Sequence, residues 1–359
     1  MNIYVSAYLD KNLGDDLMVR ILAGVLKDHQ LYLYCKDEKK YMPFKDISNM
    51  QRCEIPLNKI NKKGTIHFHA YITIGGSIFI LNDFKTIFKR YIKYLKKRTI
   101  KNKGLKIATI GCNLGPFKNN FAEKLAIKEL KLSQLITVRD NKSYKLIAED
   151  LSRDIYYYPD IVFSMDESFF TTEKDEYKHM LGISVYNSVR EPMYNDGYIK
   201  AMAKIADEYI EKTGNKVKLL AFDTGNENDM KAAKAIFRSS NYKNKINIIG
   251  HCDDGTTLLN EMNECTSLIA TRMHSIVLAY KLGIPFIPVI YSDKTRFLLD
   301  DMEYYGIKIE FKDANVVDFE KITAELIEIE SQRPPRKYDA ESASNGHFDR
   351  LLEFLNSKK

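Results

Sequence analysis

The sequence predicts an α/β protein made of two Rossmann-like, doubly wound parallel-sheet domains. Three observations point there. Short apolar runs rich in β-formers alternate with helical stretches along most of the chain, as a parallel sheet covered on both faces requires. That rhythm breaks once, at the polar, acid-rich stretch SMDESFFTTEKDEYKH (164–179), and then resumes. With 359 residues, the chain exceeds what one core usually organises, so two domains are the natural division.

In the first series, strands are expected at Ile3–Ala7, Leu31–Tyr34, Ala70–Ile74, Lys106–Ile110, Leu135–Val138 and Ile155–Tyr158. Helices fall between them at Asp16–Lys27, Asp83–Lys97, Asn120–Leu130 and Ser143–Glu149. The second series has strands at Leu181–Tyr186, Lys218–Phe222, Ile246–Ile249, Leu268–Ala270 and Pro285–Ile290. Its helices are Tyr198–Lys212, Glu227–Arg238, Thr257–Asn263, His274–Leu282 and Thr295–Tyr304, followed by Val317–Glu330. SQRPPRKYDAESASNGH then reads as a loop before a last helix at Phe348–Leu355. The domains are therefore expected at 1–165 and 181–335, joined by a linker at 166–180 and followed by a terminal loop and helix at 336–359. Ligands of such sheets bind beyond the carboxyl ends of the strands, so function is sought in those loops.

Composition removes several classes. A hydrophobic content of 45% with 11% aromatics is globular. No apolar run reaches the roughly 18 to 20 residues of a membrane span. The start, MNIYVSAYLDKNLGDD, reads as a first strand without the features of a signal peptide. The five Cys are scattered, without a CxxC pair, which fits reduced thiols in a cytoplasm better than disulfides or structural zinc.

The net charge of +7 is unevenly spread. From Lys85 to Lys103 there are nine Lys or Arg and no acid, while Phe84, Ile87, Phe88, Tyr91, Ile92 and Leu95 keep helical spacing. One face is expected to be buried and the rest to be cationic, either simply solvated or set against an anionic partner such as a membrane surface. Nucleic acid is not an expected partner, since no helix-turn-helix or RNA-binding signature accompanies the charge.

Polar, glycine-containing clusters recur just after the expected strands. In NLGDD, Asn12 to Asp16, Gly14 permits a tight turn, and Asp15 or Asp16 can cap the helix; Asp15 can otherwise act as a general base on a sugar hydroxyl. Gly75, Gly76 and Ser77 in ITIGGSIF let a ligand approach exposed N–H groups. In IGCNLGPF, Asn113 offers a donor and an acceptor and Gly115-Pro116 fixes a turn. VRDNKS places Asp140 and Ser143 as a helix cap, and Pro159-Asp160 ends a strand. Neither GxGxxG nor GxxxxGK[ST] occurs.

The sharpest cluster is TRMHSIVLAYKLGIPFI, 271 to 287. A helix opens there, and its first-turn N–H groups carry about half a positive charge. Cations are unfavourable at such an end. Arg272 and His274 placed there, beside Ser275, therefore suggest a bound anion such as phosphate.

Taken in order, these clusters resemble the polysaccharide pyruvyl transferase family. The matching residues are Asn12 to Asp15, Gly75-Gly76-Ser77, Gly111 to Pro116, Val138-Arg139-Asp140 with Ser143, Pro159-Asp160, and Arg272-Met273-His274 with Gly283-Ile284-Pro285. The resemblance implies a GT-B-like arrangement of the two domains. It also implies an enzyme that moves pyruvate from phosphoenolpyruvate onto a sugar of a cell-surface polysaccharide precursor, forming a cyclic ketal and releasing phosphate. On that footing the amino-terminal domain takes the acceptor, a sugar or lipid-linked glycan, through Asn12, Gly14, Gly75, Gly76, Ser77 and Asn113. The carboxy-terminal domain takes the donor through Arg272, His274 and Ser275, with His274 as acid or phosphate ligand and Asp15 as base. No metal and no cofactor other than the donor substrate is expected, and no His, Cys or Asp cluster has metal spacing. Family members often carry an Arg soon after the first strand of the second domain. Here that stretch is LGISVYNSVREP, with Tyr186 and Asn187 at that place and Arg190 slightly later as the expected donor contact. The alternatives are a GT-B nucleotide-sugar glycosyltransferase with His274 on the diphosphate, and a non-catalytic binder of anionic polymers.

Overall fold

The computed structural model describes residues 1–149, 154–166, 169, 179–252, 256–330 and 340–357. The chain forms two compact units: Met1–Leu9 with Asp15–Met165 and Ala340–Lys359, and Asp10–Gly14 with Asp166–Asp339. Most of the expected linker, and the start of the expected terminal loop, lie outside the described residues.

The first unit begins with β1 (Asn2–Ser6), α1 (Leu13–Val25), β2 (Gln30–Tyr34), the short α2 (Glu38–Tyr41), β3 (Met50–Cys53) and β4 (Ala70–Ile74). It continues with β5 (Phe79–Leu81), α3 (Phe84–Lys101), β6 (Lys106–Cys112), β7 (Leu114–Phe117), α4 (Asn120–Leu130), β8 (Leu135–Val138), α5 (Asn141–Ala148) and β9 (Tyr156–Tyr157). The main sheet has the order β3-β2-β1-β4-β6-β8-β9, and every pairing in it is parallel. Ile3 sits opposite Leu31 on one side and Ala70 on the other. All five residues of β4 are buried, which is why its sequence, AYITI, lacks a polar face.

The second unit comprises β10 (Met180–Val185), α6 (Asn195–Thr213), β11 (Lys216–Ala221), α7 (Met230–Ser239), β12 (Ile246–Gly250), α8 (Thr257–Asn263) and β13 (Ser267–Ala270). It ends with α9 (Met273–Leu282), β14 (Phe286–Ile290), α10 (Asp293–Asp301), β15 (Ile309–Glu310) and α11 (Phe319–Ile329). Its all-parallel order, β12-β11-β10-β13-β14-β15, is the doubly wound Rossmann order.

Four local expectations change. Gly115-Pro116 does not form a turn but lies in β7, which pairs in parallel with β5. The helix of NLGDD starts earlier than expected, so Asn12 does the capping: its Oδ1 accepts the Gly14 N–H at 3.2 Å, leaving Asp15 and Asp16 inside the first turn.

Helix α3 is rotated relative to its apolar pattern. Ile87 is buried as expected, but Phe84, Phe88, Tyr91 and Leu95 are exposed, while Arg90 and Lys97 point inward. The inward cations have partners waiting. Arg90 pairs with the fully buried Glu129 of α4 at 3.2 Å, and the Lys97 ammonium lies 2.9 Å from Ser133 Oγ and 3.2 Å from Thr109 Oγ1. Burial pushes that ammonium's pKa down, with Glu129 pulling the other way.

The last helix, α12 (Ala340–Asn356), starts eight residues before the expected Phe348 and packs on the first unit. Its early turns are polar because they bond rather than pack. His347 Nε2 donates to the Pro159 carbonyl at 2.8 Å, and its Nδ1 meets the Thr137 hydroxyl at 2.6 Å. Ser344 donates to the Asp160 carbonyl at 2.9 Å. Small polar residues give no apolar period, so the sequence reads as loop.

Burial pushes the His347 imidazole down to about 4. Its ordinary value is 6.5, so between those limits the unfolded chain binds the extra proton and acid destabilises the fold. Stability from this group is complete above about pH 6.5 and falls by about 3 kcal/mol on acidification to pH 4. In urea denaturation against pH, a His347→Gln chain should lack that fall, whatever its absolute stability.

Candidate functional site

The loops at the carboxyl ends of β10, β11 and β13 converge on one carboxylate. Asp229 is fully buried at the start of α7. It accepts from Arg272 Nε at 2.8 Å and from a terminal guanidinium nitrogen at 2.5 Å. It also accepts the backbone N–H of Asn187 at 3.1 Å and of Asp223 at 2.9 Å. A second carboxylate, Glu227, pairs with the other arm of Arg272, and the Tyr186 ring lies 4.6 Å from the guanidinium carbon. Burial works against the Arg272 charge, but Asp229 and Glu227 more than offset it, leaving its pKa well above the ordinary value. Burial likewise pushes the Asp229 carboxyl up, with Arg272 opposing.

Arg272 is thus engaged on every arm of its guanidinium, and it fixes the turn into α9. Ser275, expected at the donor, is buried and donates to the Arg272 carbonyl at 2.6 Å. The N-cap residue of α9, Arg272, makes no side-chain capping bond. His274, its second residue, is half-buried at that end.

The segment Asp10–Gly14 belongs to this same unit. It bridges to the loop after β11: the Leu13 N–H donates to the Phe222 carbonyl at 3.0 Å, and the Thr224 N–H to the Lys11 carbonyl at 3.0 Å. Asn12 lies antiparallel to Asp223, and its Nδ2 is 3.4 Å from Asp223 Oδ2. Gly14 faces the His274 ring so closely that a Cβ there would sit 1.8 Å from Nδ1. Glycine is required at Gly14 for clearance rather than for turn geometry. Asn12 and Gly14 were expected beside the acceptor loops, yet they group with the unit that carries His274. Arg190 is exposed in the loop after β10, and Tyr186 packs on Arg272 instead.

In the first unit a second buried Arg organises the expected acceptor loops. Arg139, directly after β8, pairs with Asp160 at 2.6 Å and donates to Asn113 Oδ1 at 2.9 Å. Asn113 in turn donates its N–H to the Gly76 carbonyl at 2.9 Å. A Cβ on Gly76 would lie 1.9 Å from the guanidinium carbon, so that glycine also provides clearance. Gly75, at φ +130°, holds a conformation suited to glycine. Asp140 caps α5 through Ser143, whose hydroxyl takes the Leu114 N–H at 2.8 Å. Asp15 is half-buried in the first turn of α1 and belongs to this unit.

Sequence reading missed Asp223, Glu227 and Asp229. Their signal was present: three carboxylates and Gly225 within AFDTGNEND, directly after a buried strand. Burial pushes the Asp223 carboxyl up, Arg272 opposes this, and Asp229 adds to it. Among the described residues, no group of three or more His, Cys, Asp or Glu could hold a metal ion, and no helix is long and apolar enough to cross a membrane. None of the five Cys is in a disulfide; four are buried and Cys252 is exposed.

The polysaccharide pyruvyl transferase family model matches residues 12–293, a span containing both Arg-centred loop systems. The chain belongs to the polysaccharide pyruvyl transferase family. No curated protein matches it. Solved structures do. A putative UDP-N-acetylglucosamine 2-epimerase from Listeria monocytogenes has 9% identity and a TM-score of 0.63, with 100% of this chain and 97% of that one covered. The MnaA–UDP structure from S. aureus has 11% identity and a TM-score of 0.64, with 99% and 97% covered. Anabaena HepE, solved with UDP-glucose, has 13% identity and a TM-score of 0.59, again with 99% and 97% covered. At these identities the likeness shows the fold, a GT-B-type pair of Rossmann-like domains, and nothing of the ligand.

The ion pair at the second unit's loops predicts a sharp contrast in urea denaturation. Asp229→Ala, which leaves Arg272 buried without its bidentate partner, should cost about 3–5 kcal/mol. Glu353→Ala, removing the partner of Arg350 on an exposed helix face, should cost less than about 1 kcal/mol.

Proposed function

We propose that this chain transfers pyruvate from phosphoenolpyruvate to a sugar of a cell-surface polysaccharide precursor, closing a cyclic ketal and releasing phosphate. The observation that supports it best is the pairing of His274 with Gly14 at the start of α9. An imidazole and the helix N–H groups there suit a phosphate, and the missing Cβ leaves room for the ring at that helix end. The donor phosphate is assigned to His274 and that helix end. Arg272, held by Asp229 and Glu227, is assigned a positioning role, with Ser275 bonding the same turn. Arg190 is exposed on its loop, suited to the donor carboxylate. The acceptor is assigned to the first unit, to Gly75, Gly76 and Ser77, with Asn113 positioned by Arg139.

Chemically, a proton added to the methylene carbon of phosphoenolpyruvate leaves an oxocarbenium-like centre at its neighbour. One sugar hydroxyl adds there and loses its proton to a base; phosphate then departs, and the second hydroxyl closes the ketal. Of the two hydroxyl protons, one ends on the new methyl group and one on phosphate. The reaction asks for one acid, one base and anion stabilisation. His274 is the proposed acid and phosphate ligand, and Asp15 the proposed base. No metal or cofactor is invoked. Thiols outside any disulfide fit a cytoplasmic setting. A second reading is nucleotide-sugar transfer with the diphosphate on His274; a neighbour of the same fold was solved with UDP-glucose.

Calorimetric titration with phosphoenolpyruvate, UDP and CMP separates the two. Saturable phosphoenolpyruvate binding should weaken about tenfold or more in His274→Ala, the loss expected for a charged hydrogen bond. Gly14→Ala should weaken it similarly by displacing the ring. Nucleotide binding with no response to phosphoenolpyruvate would replace this proposal with the glycosyltransferase.

A further inference from the structure

Helix α3 carries an exposed, mainly aromatic stripe that the described residues leave uncovered. Phe84 is 72% exposed, Phe88 65%, Tyr91 42% and Leu95 37%. Their spacing of four, three and four residues puts them on one line along the helix. Single exposed apolar residues are ordinary, but four large ones in one line are not. The helix is anchored through an adjoining face, where Ile87 shares a core with Ala122, Leu125 and Ala126 of α4. Phe121, the neighbour of Ala122, is itself 62% exposed.

Cations border the stripe. Lys85, Lys89, Arg98 and Lys101 are exposed on α3, and the Lys118 ammonium sits 3.7 Å over the Phe84 ring. No acid occurs from Phe84 to Lys103. A second copy of the chain meeting this face would bring like charges together. An anionic bilayer instead satisfies both components, taking the rings at its headgroup boundary while its phosphates meet the lysines.

We propose that α3 is a membrane-docking element: Phe84, Phe88, Tyr91 and Leu95 enter the interface of an anionic bilayer, and Lys85, Lys89 and Lys118 meet its headgroups. The inference does not depend on the identity of the donor. The surface gives a peripheral attachment, weak enough to reverse, and suits an acceptor carried on a lipid.

The test is sedimentation of the purified full-length chain with vesicles of phosphatidylcholine alone or mixed equally with phosphatidylglycerol. Binding is expected only to the mixed vesicles and should fall as salt is raised. The double variant Phe88→Ser, Tyr91→Ser should lower it about tenfold or more, because the apolar contact is lost. Lys85→Glu with Lys89→Glu should do the same at low salt. Because the chain has no Trp, Phe88→Trp provides a single reporter whose emission shifts to the blue on mixed vesicles. That readout stands even if the double variant folds poorly. Absence of vesicle binding, equal binding to both compositions, or an unshifted Trp would overturn the proposal, the first pointing to a protein partner for the stripe.

Discussion

The ion pair between Arg272 and Asp229 is the contact on which the second unit's loops depend. One carboxylate receives two guanidinium bonds and the N–H groups of Asn187 and Asp223. It therefore ties together the ends of β10, β11 and β13. Removing either partner leaves a charge in a buried site, so the arrangement holds as a whole or fails as a whole. The segment Asp10–Gly14 depends on the same centre, because the Asp223 it bridges is held by Asp229. His274 owes its place to the turn that Arg272 fixes.

The first unit solves the same problem with different residues. Arg139 also stands directly after a strand, is bound by a buried carboxylate, and fixes a neighbouring loop through Asn113. In each unit a glycine gives clearance to the ring or guanidinium beside it: Gly14 for His274 and Gly76 for Arg139. Short glycine motifs after strands thus have a packing reason here. Both Arg residues are paired with buried carboxylates in loops where a parallel sheet normally offers its ligand-facing groups.

Much of the fold was legible because buried parallel strands announce themselves. Ala70–Ile74 and Leu135–Val138 match the expected bounds, as do the helices Asn120–Leu130 and Thr257–Asn263. What escaped depends on partners distant in sequence. Nothing within α3 reveals that Glu129 and Ser133 await its cations, so its apolar pattern points to the wrong face. Nothing in DAESASNGH reveals that Ser344 and His347 meet backbone carbonyls and Thr137 of the first unit. β3, an edge strand with an exposed Gln51, lacks the apolar density that marks the central strands. At the candidate site, the loops after the strands are legible in the sequence, whereas the ion pairs of Arg272 and Arg139 are not, since Asp229 and Asp160 lie 43 and 21 residues away from them.

That difference changes the electrostatics of the candidate donor site. From sequence, Arg272 and His274 look like two cations gathered at a helix N-terminus, an unfavourable set unless an anion joins them. In the structure the Arg272 charge is balanced by two carboxylates. The positive potential at the start of α9 then comes from the helix N–H groups, while the Asp229 and Glu227 carboxylates offset the charge of the scaffold's own Arg272.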